Sequence, residues 1–171
     1  TPEKRGQAPH DHSERAAYGA SMREFHGAAT AFSDAIPEAI FDVITDIENL
    51  PDWNAAIESI VAAPNVLTAG SEWVVVIHPK GFPKWNSRSI VHEINRDALR
   101  FVYRSQSDGA NPSFLRWSWV ISAADGGAQV VVSWEANPKT FWRRVLFAPY
   151  LRRPQLNKEV PASLDAINRL V

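Results

Sequence analysis

The chain has 171 residues, a mass of 19.1 kDa and a net charge of -1, with 45% apolar and 22% charged residues. These values are typical of one soluble globular domain, in which folding buries about 70% of the surface of the extended chain. A near-neutral chain lacks the basic field of a nucleic-acid-binding protein, and no apolar run approaches the roughly 20 residues of a membrane span.

Residues 1–21 are polar, contain prolines and glycines, and follow neither a helical nor a strand period. They predict a flexible tail, which is followed by a single domain at residues 22–171. The tail has no apolar segment of the kind found in signal peptides, so the predicted location is cytoplasmic. His10 and His12 form an H-x-H pair, for which a solvated tail is the simpler interpretation. Because the chain also has no cysteine, we predict neither a metal nor another cofactor.

A strand and two short helices are predicted next. Residues alternate from Phe25 to Phe32 as they do in a strand. Pro37 suits the first turn of a helix and Pro51 limits its continuation, so two short helices should meet near residues 46–50. The apolar stripe of this region consists of Ile36, Ile40, Phe41, Ile44 and Ile47.

Six further strands are predicted between residues 56 and 136, because runs rich in β-branched and aromatic residues alternate with turn sequences. The connections are too short for parallel crossovers, so neighbouring strands should be antiparallel and the sheet should have seven strands. The predicted strands are Ile57 to Val66, Ser71 to His78, Ser87 to Ile94, Leu99 to Ser107, Phe114 to Ala123 and Ala128 to Ala136.

The last segment, Pro138 to Val171, predicts the one long helix, with Asn137 as its N-cap. Apolar residues recur along it at spacings of three and four. Prolines inside the segment predict kinks, or a break between Ala148 and Gln155.

This order of elements, with particular residues in it, resembles a known superfamily. The stretch ATAFSDAIPEAIFDVITDIENLPDWNAAI is similar to the opening of the START-related, Bet v 1-like (SRPBCC) proteins, which include polyketide cyclase/dehydrase-type proteins. Pro37, Phe41, Asp46 and the Pro51-x-Trp53-Asn54 motif carry the likeness, and SEWVVVI, IVHEINRDALRFVYR and QVVVSWEANP agree with it. The resemblance implies an α+β helix-grip fold, in which a curved antiparallel sheet surrounds a long C-terminal helix. In that family Trp53 packs between the small helices and the sheet.

The helix-grip fold leaves an apolar cavity between sheet and helix, and this gives a place to the aromatic content of seven Trp, eight Phe and three Tyr. The implied ligand is a hydrophobic small molecule, because large rings with a few polar tips are the usual lining of such pockets. The predicted ligand-binding residues are Phe101, Tyr103, Trp117, Trp119, Trp142 and Leu146, with Phe82 and Trp85 at the mouth.

Four polar residues are candidates for proton transfer or ligand orientation. Tyr103 can act as a general acid, or be an ordinary core tyrosine. Glu135 can become a base if it is buried, or be a solvated carboxylate at a strand end. His78 lies on a strand beside that of His92 and can pair with it, although no carboxylate is placed to orient either ring. Arg116 can bind a ligand carboxylate, or lie on the outer face of the sheet.

The loop PKGFPKWNS places Phe82 and Trp85 beside Lys80 and Lys84. It predicts a gate over the cavity mouth or a peripheral contact with an anionic membrane surface. The alternative is that its rings fold back onto the protein.

Three functions therefore remain open. The leading hypothesis is binding of a lipid-like, polyketide or aromatic small molecule in the cavity. The alternative is a polyketide cyclase/dehydrase-type lyase or aromatase, which would gain rate by holding a poly-β-keto chain in one reactive conformation. The third is an interaction module whose apolar groove binds another protein. The sequence makes no prediction of the ligand's identity or the oligomeric state.

Overall fold

The computed structural model describes residues 25–108, 112–139 and 153–171. The predicted order of one strand, two short helices, six strands and a C-terminal helix is confirmed. The predicted tail at residues 1–21 lies outside the described residues, as do Trp142 and Leu146. The elements are β1 (Phe25–Ser33), α1 (Pro37–Thr45), α2 (Leu50–Trp53), β2 (Ile57–Ala62), β3 (Glu72–Ile77), β4 (Trp85–Asn95), β5 (Arg100–Ser107), β6 (Phe114–Ala124), β7 (Gly127–Asn137) and α3 (Arg153–Leu170).

The seven strands form one antiparallel sheet in the order β1-β7-β6-β5-β4-β3-β2, which confirms the predicted helix-grip architecture. Strands β2 to β7 are a meander, whereas β1 pairs with β7, from which it is most distant in sequence. The tightest turn is at Asp125 and Gly126, where Gly126 has a φ of +82°, a left-handed conformation that glycine adopts at little cost. β2 ends at Ala62, four residues before its predicted end, after two register irregularities with β3.

The two short helices begin where proline allows them to. Pro37 opens α1, and Pro51 lies in the first turn of α2. The predicted stripe is buried from Ile40 onward, but Ile36 is 65% exposed because it is the N-cap residue that precedes the helix.

The C-terminal helix does not begin at Pro138, where the sequence predicts its start. Asn137 pairs with Phe114 in the ladder between β7 and β6, and this extended backbone prevents it from acting as an N-cap. Helix α3 is described from Arg153 and continues through Pro161 to Leu170, whereas most of the predicted break between Ala148 and Gln155 lies outside the described residues. Its inward face is the predicted stripe of Leu156, Val160, Leu164 and Ile167, each at most 4% exposed. None of the helices in the described ranges is long and apolar enough to cross a membrane.

The interior is divided into a packed end and an open end. At the packed end, the second half of α3 contacts β1 and α1, where small inner residues such as Ala29 and Ala31 allow close approach. Leu164, Ile167 and the buried side chains of α1 fill this end. At the other end, the first half of α3 faces α2 and strands β3 to β6 across a cavity.

Close approach also explains one glycine in β1. Gly27 is opposite Trp134 in the ladder with β7, and a methyl group added at Gly27 would overlap the Trp134 indole ring. The indole is almost fully buried and has no room to withdraw.

We therefore expect Gly27→Ala to lower the free energy of unfolding by about 1–3 kcal/mol, the usual cost of overpacking. Urea denaturation monitored by circular dichroism measures the change. Thr30→Ala, an exposed site on the same strand, is the matched control and should change stability little. Equal stability of the wild type and Gly27→Ala would contradict the packing described for Trp134.

Candidate functional site

A cavity of about 510 Å³ lies between the inner face of the sheet and the first half of α3. Its walls come from α2, strands β2 to β7, the loop between β3 and β4, and one face of α3. The helix contributes Leu156, Glu159, Val160 and Ser163. The volume is within the range that accommodates a drug-sized small molecule.

Aromatic rings form a continuous row across the inner face of the sheet. Trp73 on β3 contacts Tyr103 on β5, with ring centroids 5.0 Å apart. Tyr103 is 6.3 Å from Trp117 on β6, which is 6.3 Å from Trp134 on β7. Neighbouring rings at these distances attract one another and restrict one another's rotamers, so the row forms a rigid aromatic surface.

Serine hydroxyls lie between these rings. Ser87 and Ser89 on β4 face the cavity and are at most 7% exposed, and Ser105 on β5 is the register partner of Ser89. The indole Nε1 of Trp117 donates a hydrogen bond of 3.1 Å to the Ser105 hydroxyl. Large rings therefore supply apolar area to the cavity, while small hydroxyls supply polar contacts.

The Tyr103 side chain is partly buried and lines the cavity. Burial raises the pKa of Tyr103 above its ordinary value, and the neighbouring Trp119 indole lowers it by less. The phenol consequently stays neutral at physiological pH and keeps its proton to donate.

Trp53 combines a structural position with an unusual polar group. It is 3% exposed, and its ring meets that of Trp119 edge-on at 5.7 Å. It also forms part of the cavity wall. Its Nε1 is the one buried side-chain polar atom with no hydrogen-bond partner in the part of the chain that the structure describes.

The model of the family described as polyketide cyclase/dehydrase and lipid transport matches residues 24–169. The chain belongs to this family. Its place in the Bet v 1-like (SRPBCC) superfamily, implied by the sequence, is thereby confirmed, as the structural likenesses below also indicate. Among curated proteins, none matches the chain in sequence.

Solved structures share the fold of this family member at low sequence identity. Ara h 8.0201 has a TM-score of 0.66 and 18% identity, over 86% of this chain and 97% of that one. The Zhui aromatase/cyclase from Streptomyces sp. R1128 has a TM-score of 0.68 and 15% identity, over 85% and 92%. TTHA0849 from Thermus thermophilus has a TM-score of 0.64 and 19% identity, over 85% and 95%. At these identities the likeness establishes the fold.

The structure of this polyketide cyclase/dehydrase family chain brings five of the predicted ligand-binding residues to the cavity. They are Phe82, Trp85, Tyr103, Trp117 and Trp119. Phe101 shares their face of the sheet but does not line the cavity. It is 1% exposed, with the ring of Trp73 stacked against it at 6.2 Å and the ring of Tyr103 tilted against it at 5.1 Å.

Three of the four proton-transfer candidates are not at the cavity. Glu135 and Arg116 are register partners on β7 and β6, on the face opposite to Trp117 and Trp134. His78 is exposed after β3 and pairs with Glu58, at 2.8 Å from Nδ1 to Oε2. Strand alternation separates these residues from Tyr103, so none of the three shares its site. The described residues contain no group of three or more His, Asp or Glu side chains that could hold a metal ion.

The serines and Trp73 are cavity residues that the sequence did not predict. The sequence Ser87-Arg88-Ser89 could have predicted that the two serines share a face, because alternation along a strand places both on the side opposite to the arginine. Only the pairing of β4 between β3 and β5 shows that the serine face is the inner one.

The carboxylate of Glu58 contacts residues at both ends of the loop at the cavity mouth. Residues 79–84, which we name the mouth loop, connect β3 to β4 and include Phe82. Glu58 on β2 binds His78 before this loop and Lys84 at its end, at 2.8 and 3.2 Å. The hydrogen bond from Lys84 is the largest cause of the lowered pKa of Glu58. The ion pair between Glu58 and Lys84 is therefore fully formed above the ordinary pKa of a glutamate. It is lost as the pH falls through the lowered pKa of Glu58.

We expect Glu58→Gln to accelerate backbone hydrogen exchange in the mouth loop by a few-fold, because the loop loses its ion pair with Glu58 at Lys84 and the carboxylate contact at His78 is weakened. The effect is modest because exposed ion pairs are weak. Hydrogen-deuterium exchange with mass spectrometry measures it. Glu72→Gln removes an exposed ion pair with Arg88 instead and serves as the control. Loop exchange that is unchanged in Glu58→Gln would show that Glu58 does not restrain the loop.

Proposed function

We propose that this protein binds a hydrophobic small molecule of a lipid-like or polyketide and aromatic type in the cavity between the sheet and α3. The observation that carries the proposal is the cavity of about 510 Å³ with its mainly apolar, aromatic wall. Protein interiors are normally close-packed, so a domain with only a structural core would have filled this end with side chains, as it fills the other end. The family description, which names both polyketide cyclases and lipid transport, supports the same proposal.

The mouth loop gives the proposed ligand a route of entry. Phe82 and Trp85 line the cavity from the loop and from the start of β4. Loops that carry binding residues on a rigid scaffold commonly control access to a site. Ligand exchange would then require movement of this segment and not of the sheet.

The proposal is tested with a thermal-shift panel containing a sterol, a flavonoid, a fatty acid and a tricyclic ketone, and with native mass spectrometry of the purified protein. We expect at least one compound to raise the melting temperature, or a small molecule to accompany the protein. A panel with no stabilising compound, together with no bound molecule, would count against the proposal.

A pair of neighbouring variants locates the site. Ser163 faces the cavity from α3, whereas Ala162 beside it is exposed. We expect Ser163→Phe to fill cavity volume and weaken binding of the best panel compound by at least about tenfold. Ala162→Phe should leave the affinity unchanged, as measured by calorimetry on variants whose folding is confirmed by circular dichroism. Equal affinity of the two variants would place the ligand elsewhere.

A second candidate function is a cyclase or dehydrase reaction, and Tyr103 is the observation that favours it. Its neutral phenol lies in the cavity wall and could donate a proton to a carbonyl oxygen. If Tyr103 is a general acid, Tyr103→Phe should lose turnover of a poly-β-keto thioester by roughly a hundredfold or more at unchanged substrate affinity. Turnover by Tyr103→Phe equal to that of the wild type would exclude this role.

A further inference from the structure

Two hydroxyls of the aromatic cavity wall, those of Tyr103 and Ser105, have a proton to donate to a ligand. A hydroxyl has one proton and two lone pairs, so a hydroxyl that accepts one bond still has its proton to give. Ser105 accepts from the indole of Trp117, so its hydroxyl proton is available for a third group. The neutral phenol of Tyr103 lines the cavity and also has a proton to give.

These donors lie close together by strand geometry. Tyr103 and Ser105 are next-but-one neighbours on β5 and face the same side, about 7 Å apart along the strand. Ser89 is directly opposite Ser105, and both line the cavity. A flat molecule lying against the row of rings would therefore present one edge to several hydroxyls.

The cavity wall has no positive charge among the residues that the structure describes. Its described lining includes the carboxylates of Asp108 and Glu159 but no lysine, arginine or histidine. A buried carboxylate on a ligand would lose its hydration without gaining a cationic partner, which is costly. A ketone or ether oxygen carries no charge and needs only the donors that the wall supplies.

We infer that the cavity selects a neutral, flat ligand with acceptor oxygens on one edge, which Tyr103 and Ser105 bind, and that it discriminates against carboxylates. This inference rests on the proposed function and narrows it. It separates a carrier of neutral compounds from a carrier of free fatty acids, which the family description does not distinguish.

The test uses four matched tricyclic probes: fluorene, fluorenone, fluorenone carboxamide and fluorenone carboxylate. Affinities are measured by calorimetry at neutral pH, where the carboxylate is ionised. We expect fluorenone to bind roughly three- to tenfold more tightly than fluorene, the usual net effect of one or two hydrogen bonds. The carboxylate should bind at least about tenfold more weakly than the carboxamide, which has the same shape but no charge.

Two variants test whether the hydroxyls of Tyr103 and Ser105 cause the preference for fluorenone over fluorene. Tyr103→Phe and Ser105→Ala should each reduce the advantage of fluorenone over fluorene, while the affinity for fluorene stays the same or rises. Ser133→Ala, on β7 and outside the cavity lining, is the control and should keep the wild-type ratio. Using the ratio of two ligands removes any general effect of a variant on folding.

The outcomes separate the inference from the proposed function. If fluorene and fluorenone bind equally, or if both variants keep the wild-type ratio, the inference is wrong while small-molecule binding stands. A carboxylate that binds as tightly as the carboxamide also overturns it. If no probe and no panel compound binds, the proposed function itself has failed.

Discussion

The arrangement of large rings around small hydroxyls on β4 is the constraint on which the cavity depends. Adjacent strands are about 4.8 Å apart, so rings on β3 and β5 are separated by the width of β4. Trp73 and Tyr103 nevertheless approach to 5.0 Å across β4, where Ser89, the register partner of Trp73, has a small side chain and Val91 is opposite Tyr103. The two rings pack against each other over β4, and both line the cavity together with Ser87 and Ser89.

The size of the inner side chains also decides where the domain is solid. On β1 the small inner residues are alanine and glycine, and there α3 and Trp134 approach closely and fill the space. On β4 the small residues Ser87 and Ser89 face the cavity, which lies between them and the first half of α3. A single amphipathic helix thus closes the core with its second half and covers the cavity with its first. The difference lies in the sheet, since the helix presents the same apolar stripe to both ends.

The alternation of the strands places most charged side chains of the sheet on the face opposite to the cavity. Ion pairs such as Arg88 with Glu72 and Arg100 with Glu93 lie at exposed or half-exposed positions, while the inner face carries rings and hydroxyls. Because one fold hosts many activities, membership of the family leaves the ligand open. The aromatic row and the hydroxyls of the described cavity wall are properties of this chain and not of the fold.

The fold was predictable from sequence because its signals are local. Pro37, Pro51 and the turn at Gly126 divide the chain, and alternation assigns residues to the faces of each strand. The start of α3 was mispredicted because Asn137 and Pro138 are a good local start for a helix, yet the ladder with Phe114 keeps that backbone extended.

The site was only partly predictable. Alternation placed Tyr103, Trp117 and Trp119 on one face, but it could not show that Phe101 is covered by its neighbours, or that the serines of β4 face the cavity. Such facts depend on which strands are neighbours and on where α3 lies, and these are decided by contacts between residues far apart in the chain.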